Sequence, residues 1–513
     1  MNCIKKLMTV MFCALACGTA TAQWNTTKTP FTIYDCTDKG DYYICTPHFA
    51  RTTNGKTWMA YKIWLKDEND NTCVSTYVQL LDQDGNKVFD DLGIRLNSYP
   101  TDTWWSEFGA EVDPDGNFIV SVADARGTEA PADGHYRDFV PAVYKINQEG
   151  DMLWGLDGIA LTDFRHAPYT NVFINGDKTY FQFTQTDGDN VGTYTCRIGS
   201  DGTVEVDPVY LYGQMVPSVG SDMLCFSATG EGPCVQRYNS NLEAVWEEPI
   251  VYDTLAYGGY DLRPYKIASD GEGGAAVTWI CNMGMFAHNV RAQYITADGD
   301  LGFGLAAKYL YNKEEYDHDY CGITINTDTK EIMVDWEDQL EDYTVSVSKL
   351  NYGGDYLWGE TGIQTESKDG SNAFQYTRIG SGSLKSGDWI LACANDAAWN
   401  NATIIVKRLD TDGNVLWRKV LGRALGITRP TTFVEEDFTY IFWRDDAKEA
   451  LMGIRISNAD GTFTGIDATQ AADKASTDIK DIYTIDGKRL SEPQKGLNIV
   501  RYADGTIGKK FVK

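Results

Sequence analysis

Histidine is scarce in this chain: five occur in 513 residues, at His48, His135, His166, His288 and His318. Imidazole-based acid–base or triad chemistry has little to draw on at that count. The sequence also holds no Gly-x-Ser-x-Gly, no His-Glu-x-x-His and no Ser-x-Asp-x-Gly-x-Thr-Trp box. No two cysteines sit at Cys-x-x-Cys spacing, which excludes the common zinc-ribbon arrangements. Positive charge is short as well: 45 Lys and Arg stand against 73 Asp and Glu, a net of −28. That balance argues against nucleic acid and against anionic membrane surfaces as partners. Beyond residue 16 no apolar run approaches the ~20 residues that a membrane-spanning helix needs.

The apolar run that does exist stands at the start. Lys5 and Lys6 precede Leu7 to Ala16, and Ala20-Thr21-Ala22 offers a small-x-small cleavage site. Residues 1–22 therefore read as a signal peptide, with the mature chain beginning at Gln23. Acylation of Cys17 is the alternative. The expected location is extracellular or on the outer cell surface, with the periplasm as a further option. Of the 12 cysteines, Cys3, Cys13 and Cys17 fall in the leader, and an odd number remains. Buried free thiols are the first reading for these. Cys225–Cys234, flanking a turn at Thr229-Gly230, and Cys36–Cys45 are the candidate bridges.

What is abundant is a repeat. An apolar strand, a tight Asp/Gly turn and a segment ending near Leu-Trp recur eight times. The clearest copies are residues 145–161, 349–365 and 408–424. The turns fall at Gly85, Gly150, Gly202, Asn241, Gly299, Gly354, Gly413 and Gly461, a mean step of about 54 residues. In the second unit, residues 108–113 and 117–125 read as strands joined by Pro114-Asp115-Gly116. Residues 139–147 read as a third strand, and Met152-Leu153-Trp154 as the start of a fourth. Four strands per unit at this period predict an all-β chain, a β-propeller of eight blades over residues 31–466. Seven blades is the alternative, because the fourth unit is short. The strand at 31–35 is the expected closing strand of the ring. Trp154, Trp246, Trp358 and Trp417 recur at one repeat position, and Trp279, Trp336 and Trp443 at another. Packing between blades must repeat along the ring, whereas a ligand site need not, so these recurring Trp residues are read as structural. The linker is residues 467–477, followed by a small C-terminal β module at 478–513 that is basic in net.

With the repeat laid out, two resemblances emerge. The phrases at 111–125 and 143–155 resemble NHL-type and quinoprotein-like propellers. The Leu-Trp-Gly phrase, Ser269 to Trp279 and the ending at 481–513 are similar to repeats in large exported bacterial proteins with a type IX secretion-type sorting tail. That resemblance implies recognition by secretion machinery and brings no catalytic motif.

Turn chemistry accounts for the Asp-x-Asp-Gly phrases at Asp82, Asp113 and Asp410; the oxygen-rich run 67–71 is the one isolated candidate for a cation. No metal and no cofactor is expected. In an antiparallel four-stranded blade, loops 2–3 and the crossovers between blades share one face. That face receives the long segments carrying Trp104, Trp105, Tyr257 and Tyr260. Asp124, Asp338, Asp396 and Asp445 recur at the exit of strand two on the same side. These eight residues are the expected ligand-binding set. The leading functional expectation is an exported binding or interaction module for a glycan or protein. A carboxylate-based glycoside hydrolase or lyase is the alternative, and a structural surface protein the second alternative.

Overall fold

The computed structural model describes residues 24, 30–35, 44–66, 72–90, 92–96, 108–126, 139–161, 167, 169–186, 191–229, 232–253, 263–284, 287–310, 318–338, 344–367, 378–395, 402–424, 430–445, 450–463, 479–484, 488–502 and 507–512. Residues 29–462 make one compact unit; residues 1–28 and 463–513 make a second. The described residues form nine four-stranded antiparallel sheets, eight of them in the first unit.

Those eight sheets are the blades of a β-propeller. The inner strands are Ile44–Arg51, Ala110–Val112, Tyr169–Asn175, Gln214–Pro217, Arg263–Ser269, His318–Asn326, Arg378–Ser383 and Thr431–Val434. Successive inner strands pack against each other around the axis. In seven blades the four strands follow in chain order. The eighth takes its outer strand, Phe31–Asp35, from the N-terminal side, pairing Phe31 with Gly453 and Asp35 with Ala450. Phe31, Ile33 and Tyr34 are buried there. Blades one and eight meet through Phe49 and Phe442, stacked with centroids 4.8 Å apart. The Arg51 guanidinium lies 3.5 Å from the Tyr440 ring centroid and pairs with Glu435. The N-terminal strand thus closes the ring by covering the outer edge of Ala450–Ser457.

In blade two the second and third strands, Phe118–Asp124 and Val140–Ile146, are buried end to end, because neighbouring blades cover both faces of the sheet. The turns are built by Asp. The Asp113 carboxylate accepts from the backbone N–H of Asp115 (3.0 Å) and Asn117 (2.8 Å), while Gly116 takes φ +82°. Asp82 and Asp410 hold their turns in the same way.

The Leu-Trp segment differs from its expected role as the start of strand four. In the second blade Met152 makes only an isolated bridge to Ile146, and the outer strand is Ile159–Ala160. Trp154 instead leaves the blade and donates Nε1–H to Ser200 O in the turn of blade three, at 3.1 Å. Trp358 does the same to Thr411 O (2.9 Å) and Trp417 to Asn458 O (2.9 Å). Among the described residues, blades three and seven run the segment after the turn as one continuous outer strand, Val204–Tyr210 and Val415–Ala424. The fourth unit forms a full blade; its shortness lies in its connections, residues 211–213 and 230–231. Its turn puts Leu242, not Asn241, at the glycine position, with φ +60°.

The cysteine bridge across the fourth-blade hairpin does not form. Cys225 pairs in register with Gln236, and Cys234 with Ser227, so the two thiols are not opposite each other. Cys196, Cys225, Cys234, Cys281, Cys321 and Cys393 are buried, and none of them forms a disulfide among the described residues. Cys36 and the Cys45 side chain lie outside the described residues.

The second unit contains one sheet, ordered Arg489–Leu490, Ile479–Tyr483, Gly496–Tyr502, Ile507–Val512. No helix among the described residues is long and apolar enough to cross a membrane.

Candidate functional site

Three places in the ring bring polar chemistry together: the face of the long connections, the axial channel and a cavity on the tight-turn face. On the first, Asp124, Asp338 and Asp445 each end a second strand, as in Phe118–Asp124, Glu331–Asp338 and Phe438–Asp445. The strands therefore bring these three to one face. The Asp124 and Asp445 side chains are buried rather than presented to the channel mouth. Asp124 is fully buried and accepts from Tyr144 Oη (3.1 Å) and from the Arg126 backbone N–H (3.1 Å), with Arg126 Nε at 3.3 Å. Arg126, at φ +39°, also donates to Asp157 O (2.8 Å). Asp124 thus ties strand two to strand three and fixes the departing loop. Burial and this carboxylate push the Tyr144 hydroxyl far above the usual phenol range. Asp445 is buried as well. Trp104, Trp105, Tyr257, Tyr260 and Asp396 lie outside the described residues, as do the Asp338 side chain and residues 67–71.

The channel carries residues that sequence reading did not single out. His48, on the inner strand of blade one, meets the edge of Phe108 with centroids 4.3 Å apart. Lys62 lies 4.6 Å over the same ring. Burial first, then the cations Lys62 and Lys266, lower the His48 pKa to about 4, so the imidazole is neutral at ordinary pH. Lys266 belongs to blade five, so its field reaches His48 across the axis. Glu111 stands on the inner strand of blade two, and desolvation raises its pKa to about 7. Neither residue belongs to a recognisable motif. Their alternation along an inner strand was the only signal, and it does not say which side faces the axis.

A third feature is a cavity of about 410 Å³ on the opposite, tight-turn face, between blades six, seven and eight. Asp328, Lys385, Glu435 and Glu436 line it. Glu435 is already committed to Arg51 across the closure of the ring.

No protein-family model matches the sequence, and no curated protein does. Among solved structures the chain is similar to a protein of unknown function from Dyadobacter fermentans (10% identity, TM-score 0.37, covering 83% of this chain and 97% of that one). It is similar also to the periplasmic gluconolactonase PpgL of Pseudomonas aeruginosa (13%, 0.38, 71% and 96%). A third is prolyl oligopeptidase B from Galerina marginata (11%, 0.41, 79% and 56%), of which the chain spans about half the length. No residue or activity is carried over from these likenesses. The class is defined by the sheets themselves: a β-propeller of eight four-stranded blades, closed by an N-terminal strand.

Proposed function

We propose that this propeller is an exported binding module, and that its ligand, a glycan or a protein outside the cell, docks on the face of the long connections around Trp104, Trp105, Tyr257 and Tyr260. One observation carries the preference for binding over hydrolysis: the recurring carboxylates Asp124 and Asp445 are buried within their blades. Asp124 spends both oxygens on Tyr144 and Arg126. A glycosidase needs two carboxyls open to substrate at a set separation, and these two are out of reach of one. The same face receives the long connections of blades one, two, four and six, which leave strands ending at Arg95, Asp124, Val251 and Ser367. Loops on a rigid frame are where binding residues gather. The leader at 1–22 and the tail at 478–513 support export, the tail through its likeness to type IX-type sorting segments.

The test is retention on glycan and extracellular-protein arrays. Trp104→Ala with Trp105→Ala should abolish retention while circular dichroism and melting stay those of the parent. Unchanged retention, or a loss of stability showing the rings to be packed between blades, overturns the assignment of that face.

A further inference from the structure

Blade three ends on that same face in two exposed tyrosines that packing does not explain. Its outer strand, Val204–Tyr210, is seven residues long and open to solvent along most of its length. Residues 211–213 then cross to the inner strand of blade four. Tyr210 is 72% exposed and Tyr212 62%, while Leu211 between them is 6% exposed. The backbone beneath is pinned at both ends. Leu211 N–H donates to Thr193 O (3.0 Å), and Leu211 O accepts from Thr195 Oγ1 (3.0 Å) and Gln182 Nε2 (3.3 Å). Gly213 O accepts from the same amide at 3.1 Å. Gly213 itself is pressed so close that a Cβ would stand 2.5 Å from Cys225 Sγ.

The Tyr210 ring is held too. It meets Tyr194 edge-on at 5.7 Å, and Tyr194 stacks on the buried Phe183 at 5.7 Å. A Cβ on Gly192 would lie 2.3 Å from Tyr210 Cε2, so the glycine lets the ring lie across strand three. Two flat rings on a rigid backbone present apolar area at little ordering cost. The exposed Gln214 follows as a neutral hydrogen-bonding side chain.

We infer that Tyr210 and Tyr212 form a stacking platform for a neutral glycan, the C–H face of a pyranose ring lying on the tyrosines; this rests on the binding reading above. Charge selects the class. Within residues 204–214 no basic residue offers an anionic sugar a partner, and Asp207 adds negative charge beside Glu205, which pairs with Arg197 of the adjacent strand at 3.0 Å, so uronates, sialates and phosphates are disfavoured. An added peptide strand is disfavoured on this edge by Pro208, which lacks an N–H, and by the same two acids.

The test is affinity electrophoresis of the mature chain in gels containing xyloglucan, galactomannan or mixed-linkage β-glucan, with polygalacturonate as the anionic comparison. Retardation is expected in at least one neutral gel and not in polygalacturonate. Tyr210→Ala with Tyr212→Ala should weaken it about tenfold or more at unchanged melting temperature, and the double Phe variant should keep it. A chain retarded by no neutral gel, by polygalacturonate alone, or equally with the alanine pair overturns the platform. Loss of binding in Trp104→Ala/Trp105→Ala but not in the tyrosine pair overturns it while leaving the proposed face intact. The reverse pattern keeps the platform and removes the tryptophans. Independently of any variant, an oligosaccharide of the retarding polymer should shift the ring resonances of Tyr210 and Tyr212 in ¹³C-tyrosine spectra; unmoved signals count against it.

Discussion

Gly202 takes φ +87° and faces the aromatic of the preceding blade: a Cβ there would lie 2.6 Å from Ile159 Cδ1 and 2.8 Å from Trp154 Cδ1. Gly150 meets Phe89, Gly299 Trp246, Gly354 Phe303, Gly413 Trp358 and Gly461 Trp417 in the same way. The glycine is thus required twice, by its own turn and by its neighbour's ring. Gly202→Ala should cost about 2–4 kcal/mol, from the left-handed backbone and the overpacking together, read by chemical denaturation. At Glu111 the prediction concerns pH. Its folded pKa is raised to about 7, so its favourable contribution is present below the unfolded pKa near 4.5 and is lost as pH rises through 7. Glu111→Gln should match the parent near pH 4.5 and melt higher than it at pH 8. A constant difference across that range would mean the carboxyl is well solvated. His48 has the opposite sign, its contribution being present above pH 6.5 and lost as pH falls toward 4.

Elements differ in what holds them. Second strands are secured by burial on both faces, whereas the outer strands of most blades are short and lean on the neighbouring turn through the Leu-Trp step. The closing strand Phe31–Asp35 has no such step; its hold is the burial of Phe31, Ile33 and Tyr34 against the eighth blade. Ile33→Ala should therefore cost about 2–5 kcal/mol and expose the seam between blades one and eight to proteolysis. Thr32→Ala, at an exposed position of the same strand, should stay within about 0.5 kcal/mol. Equal effects at the two positions would show that the strand is not the clasp of the ring.

At the scale of the whole chain, residues 29–462 and the C-terminal sheet are separate compact units. Deleting 467–513 should leave the melting of the propeller nearly unchanged while retaining the protein inside the cell. A collapse of the ring would mean the tail stabilises it, and normal delivery would mean the tail carries no sorting signal.

Blade number, the Asp-built turns, the buried second strands and the closing strand at 31–35 were legible in the sequence. Each follows from chemistry local to one repeat, multiplied eight times, together with the need to tie the last blade to the start of the ring. Other features depend on neighbours and could not be read from the repeat. Trp154 belongs by sequence to blade two and by contact to blade three, because blade twist carries the segment outward after the hairpin. Asp124 and Glu111 are both acids on propeller strands; one is absorbed by Tyr144 and Arg126, and the other stands exposed on an inner strand. Leu242 stands in a left-handed turn that glycine fills elsewhere, its side chain buried between blades three and four. Tyr210 and Tyr212 look in sequence like ordinary strand aromatics. Only the packing of Leu211 inward and the close approach of Gly192 and Gly213 turn their rings to solvent, because which side of a strand faces out is set by the sheets around it.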